Sequence, residues 1–194
     1  MEDKLNIYQF IENTKVEGPG LRDCIYLQGC TIHCEGCTSP QTWDKDNGTL
    51  YSVDFIVDKV LNNDKIEGVT FSGGEPFNQA KNLSKIAKIF QENNLSVVVF
   101  TGYELEDILK SNDKYYNELL NFTDLLIDGP FILSKKDFSR PLVGSSNQKF
   151  HFLSDKYCEE DLTKNRNFEV RLLPNGEVLV LGVGNKEEVK KLFL

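Results

Sequence analysis

Between Gly68 and Asp128 the chain alternates short apolar runs with helical periodicity. Gly68-Val-Thr-Phe-Ser72, Leu95-Ser-Val-Val-Val-Phe100 and Asp124-Leu-Leu-Ile-Asp128 are too short for buried helices. They end at Gly73-Gly74, Thr101-Gly102 and Gly129-Pro130, so they read as strands. Between the first two, Asn78 to Asn93 places Leu83, Ile86, Ala87 and Phe90 on one helical face. Further helices are expected at Glu104 to Leu109 and around Tyr115 to Leu120. Strands separated by helices pair in parallel, because a tight turn cannot return the chain to run in the same direction. The expectation is an α/β fold with its sites at the carboxyl ends of the strands. Periodicity alone does not separate a barrel from a flat doubly wound sheet.

The flanks extend this pattern. Leu5 to Ile11 alternates well enough for a first strand, and residues 23–29 read as a second. Tyr51 to Asn63 reads as a helix with Ser52 as N-cap and Val53, Ile56, Val57, Val60 and Leu61 in one stripe. Near the end, Phe168–Leu173, Pro174-Asn-Gly176 and Glu177–Leu181 predict an antiparallel hairpin, since Asn-Gly favours the hairpin turn. Asn185 to Leu194 is expected to form a short closing helix. At 194 residues the chain fits one domain with a sizeable core. No apolar run approaches the ~20 residues of a membrane helix. A net charge of −8 argues against non-specific nucleic-acid binding. The segment Met1-Glu-Asp-Lys4 has no apolar run behind it, so no signal peptide is expected and the cytoplasm is the expected compartment.

The chemistry concentrates in Cys30-Thr-Ile-His-Cys34-Glu-Gly-Cys37. Three thiolates this close can wrap one corner of a metal centre, but complete neither a tetrahedral zinc site nor a four-thiolate cluster. The local arithmetic leaves a fourth position open or filled from elsewhere. Cys24, His33 or Cys158 could complete a zinc knuckle, although His33 is awkwardly placed beside Cys34. Disulfides are disfavoured by an odd count of five cysteines in a chain that reads as cytosolic. A simple electron-carrying cluster would normally have four protein ligands. A four-iron cluster on three cysteines would instead keep one iron free for a small molecule. His33 and His151 have no nucleophile or base partner spaced around them, and Trp43 reads as packing beneath the loop.

The flanking motifs carry a resemblance. Val16-Glu-Gly-Pro-Gly-Leu-Arg22 and Gln28-Gly29 precede the cysteines, and Pro40-Gln-Thr-Trp43 follows. Thr70-Phe-Ser-Gly-Gly-Glu-Pro76 and Gly144-Ser-Ser-Asn-Gln148 come later. From about Val16 to Gln148 the chain resembles the radical S-adenosylmethionine enzymes that activate glycyl radical enzymes. Its short length and Gly-Ser-Ser-Asn-Gln segment are most similar to the activators of anaerobic ribonucleotide reductase. Ser39 stands where such activators often have Asn, and Pro141-Leu-Val143 where an Arg or Trp-Arg is common.

The resemblance implies one radical S-adenosylmethionine domain over 1–194, with a core of about 16–150 and a hairpin extension of about 165–194. It implies an open, partial TIM-like barrel. Cys30, Cys34 and Cys37 would ligate three irons of a 4Fe-4S cluster, and the fourth iron would bind S-adenosylmethionine. Reductive cleavage would yield a 5′-deoxyadenosyl radical, which takes a Cα hydrogen from a glycine of the partner enzyme. Gly73, Gly74, Glu75 and Pro76 would meet the methionine moiety, with Ser72, Thr101 and Asp128 along the same cofactor. Asp128 reads equally well as a turn cap. Gly18, Gly20 and Arg22, with Ser145, Ser146, Asn147 and Gln148, would wall the substrate or cofactor. The expected partners are the large subunit of an anaerobic ribonucleotide reductase and a flavodoxin or ferredoxin electron donor. A pyruvate formate-lyase-type partner, or a peptide or small-molecule substrate, is the nearer alternative. An electron carrier or zinc module is the alternative from another class. Cys24 and Cys158 are expected to be dispensable, Cys24 as a small packing residue.

Overall fold

The structure is a computed structural model that describes residues 3–163 and 168–183. Its main sheet has seven strands: β1 (Lys4–Thr14), β2 (Arg22–Leu27), β3 (Thr49–Ser52), β4 (Gly68–Gly73), β5 (Ser96–Phe100), β6 (Leu125–Asp128) and β7 (Lys149–Phe152). Their spatial order is β3-β1-β2-β4-β5-β6-β7. The central pairs β2·β4, β4·β5 and β5·β6 are parallel, as the strand–helix alternation requires. The pairs at both flanks are antiparallel. The connecting helices are α1 (Val53–Leu61), α2 (Ala80–Glu92), α3 (Leu105–Lys110) and α4 (Lys114–Asn121). A single turn, α5 (Glu159–Leu162), precedes a separate hairpin of β8 (Phe168–Leu172) and β9 (Val178–Gly182). The expected closing helix at Asn185–Leu194 lies outside the described residues.

One expectation needs correction, and one strand was not foreseen. The helix drawn from Tyr51 begins only at Val53, because Thr49–Ser52 pairs with β1 as an edge strand, Tyr51 opposite Leu5. Ser52 is nevertheless the N-cap, its Oγ accepting the Phe55 N–H at 3.2 Å. The antiparallel strand β7 is not among the strands expected from the sequence. Four residues leave little period to detect.

Period-two alternation sorts the strands onto two faces. Ile25, Leu27, Val97, Val99 and Leu126 join Leu83, Ile86, Phe90 and Leu119 of the helices in the larger core. Val98, Leu125 and Ile127 face the other way, against Leu142, Val143 and Leu162. Further along that second face, Ile11, Val16 and Cys24 pack with Leu181 of the hairpin.

The amino end of the sheet is fixed by a buried cation. Arg22 is fully buried. Its Nε donates to Thr70 Oγ1 at 2.7 Å and its Nη2 to the Val69 carbonyl at 3.1 Å, while Nη1 donates to the Pro19 carbonyl and to Tyr157 Oη. Gly68 leaves room for it: a Cβ there would stand 2.8 Å from Arg22 Nη2. Every partner named here is a neutral oxygen, so the guanidinium is held by dipoles. Arg22→Ala should lower the unfolding free energy by about 3–5 kcal/mol in urea denaturation, through the cavity and the orphaned acceptors. A loss under 1 kcal/mol would mean that these contacts do not hold the sheet end.

Candidate active site

The carboxyl ends of β2, β4, β5 and β6 share one rim, and the chemical motifs converge there. Because β7 is antiparallel, its amino end, with Lys149 opposite Asp128, returns the Gly144–Gln148 segment to the same rim. The cysteine loop leaves β2 with its base pinned. Gly29 N–H donates to the Thr42 carbonyl at 2.8 Å and Cys30 N–H to the Trp43 carbonyl at 3.1 Å. Gln28 Nε2 donates to the carbonyls of Gln41 and Asp44 at 3.0 and 2.6 Å. Within the loop His33 and Gly36 take positive φ, and His33 stacks on Trp43 with centroids 4.6 Å apart. Cys37 Sγ accepts the Ser39 N–H at 3.4 Å, the kind of hydrogen bond that tunes a ligating sulfur.

The Gly-Gly-Glu-Pro turn is locked against this loop by close backbone approach. A Cβ on Gly73, whose φ is +95°, would lie 2.7 Å from Leu27 N; one on Gly74 would lie 2.3 Å from the Gly29 oxygen. Gly74 and Glu75 donate their N–H groups to the carbonyls of Leu27 and Gly29, both at 2.9 Å. The glycines therefore make room for the neighbouring chain, a demand that the sequence reading had assigned to a ligand. Glu75 is 1% exposed and turned inward. It accepts from Phe77 N–H at 2.9 Å, Thr101 Oγ1 at 2.8 Å and Gly102 N–H at 2.9 Å. Burial raises its pKa to about 7 against those hydrogen bonds. Pro76 opens the turn that leads into α2.

Other expected site residues are also engaged within the chain. Asp128 Oδ2 accepts the Leu105 N–H at 2.7 Å, the turn-capping role, and His151 Nε2 stands 2.9 Å from the same oxygen. Gln148 Oε1 accepts from Gly144 and Ser145 N–H at 2.8 and 3.2 Å, and Asn147 Nδ2 donates to the Pro130 carbonyl at 2.8 Å. Asn147 Oδ1 is buried with no partner among the described residues, as an acceptor held for a ligand would be. Arg140 binds the carbonyls of Ser145, Ser146 and Gln148. Gly18, Gly20 and Arg22 lie elsewhere. Arg22 starts β2, at the opposite end of that strand from the cysteine loop, and the two glycines pack against Arg22 and Glu67.

Spaces lined by the described residues flank the loop on two sides. An outer groove of about 940 Å³ is bordered by Cys30, Trp43, Phe77 and Tyr116. An inner cavity of about 170 Å³, on the face away from the large helices, is bordered by Cys34, Cys37, Ser72, Phe100, Gln148 and two residues that the sequence reading passed over, Glu17 and Tyr26. Glu17 Oε1 accepts Tyr26 Oη–H at 2.6 Å and the Gly182 N–H at 2.9 Å. Burial raises its pKa to about 7. Its signal was available: it is the sole charged residue between Val16 and Leu21.

Cys30, Cys34 and Cys37 are free thiols of intermediate exposure, while Cys24 is buried and Cys158 exposed. Among the described residues no three Cys, His, Asp or Glu side chains converge as a single ion requires. A four-iron cube holds its thiolates farther apart than one ion does. The three-thiol loop on an exposed rim fits such a cube, with the unpartnered Asn147 Oδ1 on the same rim.

The comparisons agree with this donor set. Residues 16–151 match the family model described as a 4Fe-4S single cluster domain. The chain is 31% identical over 157 residues to the anaerobic ribonucleoside-triphosphate reductase-activating protein of Haemophilus influenzae, covering 76% of this chain and 97% of that one. It is 31% identical to the protein of the same name from Enterobacteria phage T4, over 75% of this chain and 93% of the relative. It is also 32% identical over 118 residues to the pyruvate formate-lyase-activating enzyme of Clostridium pasteurianum, over 58% of this chain and 46% of that enzyme. The chain belongs to the radical S-adenosylmethionine activating enzymes, in the family of the anaerobic ribonucleoside-triphosphate reductase-activating proteins. It is an oxidoreductase-class enzyme with an iron–sulfur domain.

Two expectations follow from the geometry. Gly74→Ala forces a Cβ onto the backbone that delivers Cys30, so iron bound after anaerobic reconstitution should fall to near background; full iron loading would show that the approach is not needed. For Glu17, the folded protein holds a proton between pH 4.5 and about 7 that the unfolded chain releases, so stability falls as pH rises through that window. Glu17→Gln keeps an Oε1 acceptor and removes the titration. Between pH 5 and 8 it should abolish about 3 kcal/mol of that fall in urea unfolding of the metal-free protein. An unchanged slope would place the Glu17 carboxyl in water.

Proposed function

We propose that this chain uses a 4Fe-4S cluster and S-adenosylmethionine to install a glycyl radical on a partner enzyme, an anaerobic ribonucleoside-triphosphate reductase. The observation that carries the reading is the convergence of the cysteine loop, the Gly73–Pro76 turn and the Gly144–Gln148 segment on one rim. The seven strands are the wall of an open, partial TIM-like barrel whose inner face holds the reaction. Residues 1–194 form one domain, with the hairpin as an extension of the core.

Cys30, Cys34 and Cys37 would hold three irons, leaving the fourth for the amino and carboxylate groups of S-adenosylmethionine. Bound together, the reduced cluster and S-adenosylmethionine supply methionine and a 5′-deoxyadenosyl radical, the species that removes the glycine Cα hydrogen. The chain's residues bind and orient. Gly73 and Gly74 hold the turn close to the cysteine loop, and Glu75 ties it to Thr101 and Gly102 from below. Ser72 and Gln148 border the inner space, and Asn147 Oδ1 offers an acceptor. Asp128 fixes the start of α3. The electron donor would be a flavodoxin or ferredoxin, and the compartment the cytoplasm. Among the described residues no helix is long and apolar enough to cross a membrane. The likeness to a pyruvate formate-lyase-activating enzyme favours one second reading, an activase for a partner of that type.

Anaerobic reconstitution should give about four irons per chain, and dithionite with S-adenosylmethionine should yield 5′-deoxyadenosine. Cys30→Ala, Cys34→Ala and Cys37→Ala should each lose both, whereas Cys24→Ser and Cys158→Ser should keep both. Loss of the cluster in Cys24→Ser as complete as in Cys34→Ala would overturn the three-ligand assignment. The candidate reductase or lyase that accumulates a glycyl radical in electron paramagnetic resonance identifies the partner.

A further inference from the structure

The family match ends at residue 151, and the β8–β9 hairpin lies beyond it. Among the described residues the hairpin packs by one side. Leu181 is buried among Ile11, Val16 and Cys24, with Leu179 and Tyr26 alongside. On the opposite side Leu172 is 77% exposed and Val178 and Val180 are more than 40% exposed. An isolated two-stranded hairpin is marginal in water, so its position depends on what holds it down. Among the described residues, the polar holds on β8 lie along the end of β1. Thr14 Oγ1 donates to Glu169 Oε2 at 3.2 Å. Arg171, paired with Glu169, donates to the carbonyls of Glu12 and Asn13 at 2.8 and 2.9 Å.

The far end of β9 reaches the inner cavity. Gly182, at φ +87°, gives its N–H to the buried Glu17, and Gly182 and Val183 border the same space as Cys34 and Cys37. With the hairpin seated, that space is about 170 Å³. Small-molecule sites usually run from about 300 Å³ upward, and a polypeptide loop needs more.

We propose that the hairpin is an intrasteric plug: the glycine-bearing end of β9 occupies the entry of the partner's glycine segment, and the hairpin lifts at its Glu169–Arg171 latch to admit it. This rests on the activase reading, since only a polypeptide substrate has to enter here. The large helix-packed core contains no hairpin residue, so lifting the hairpin leaves that core intact.

The test compares bulky-maleimide labelling of the metal-free, full-length wild type with Arg171→Ala and Glu169→Gln. Cys34 and Cys37 should label about tenfold faster in both variants, the change expected when a closed state loses one or two hydrogen bonds. Cys30 borders the outer groove and Cys158 is exposed, so both should keep their rates, as should every cysteine in Leu172→Ser. Equal rates at Cys34 and Cys37 in wild type and both latch variants would overturn the plug. In the reconstituted enzyme, Arg171→Ala should speed appearance of the partner's glycyl radical by a larger factor than it raises partner-free 5′-deoxyadenosine formation. A slower radical would make the hairpin an aid to docking and overturn the proposal. Absence of 5′-deoxyadenosine from the wild type removes the activase reading alone, since thiol labelling still decides whether the hairpin opens.

Discussion

The tips of β2 and β4 touch backbone to backbone, and the site depends on that contact. Gly73 and Gly74 have no side chain to keep the Leu27–Gly29 strand away, so Gly74 and Glu75 donate directly into it. The cysteine loop and the Gly-Gly-Glu-Pro turn are thereby one rigid unit. Glu75 carries the same unit across to β5 through Thr101 and Gly102. A carboxylate that takes three hydrogen bonds from three separate residues serves as a rivet whose geometry is fixed before any ligand arrives.

Similar fastening recurs under the sheet. Asp124 Oδ2 accepts the Val97 N–H at 2.8 Å and Gln91 Nε2 at 3.1 Å, while its Oδ1 accepts Ser154 Oγ at 2.6 Å. Arg22 gathers Pro19, Val69, Thr70 and Tyr157 at the other end of β2. Short strands of four to six residues bury limited apolar area each, and such buried polar nodes fix their register.

Much of the fold was legible because its signals are periodic. The parallel centre followed from apolar runs spaced by amphipathic helices, and the hairpin followed from Asn175-Gly176. The edge strand β3 and the strand β7 were not legible. Each is four residues long and exists because a neighbouring edge offers free backbone groups, a tertiary fact with no local period. At the site, the rim that carries Cys30, Gly73 and Thr101 was readable from strand ends. The inward turn of Glu75, the capping role of Asp128 and the placement of Arg22 at the far end of its strand were not, since residue type does not encode which way a side chain is drawn. Glu17 stood in view within a glycine-rich turn, but its burial becomes visible only when β2 and β9 close over it.

The two buried glutamates also change what the chain's acidity means. A formal charge of −8 counts both Glu17 and Glu75 as ionised. Burial raises both to about 7, so at neutrality the folded chain is less negative than its composition states. An unfolded chain at the same pH would hold neither proton. Folding near neutrality therefore takes up protons from the buffer, so the heat of folding carries a contribution from whichever buffer gives them up.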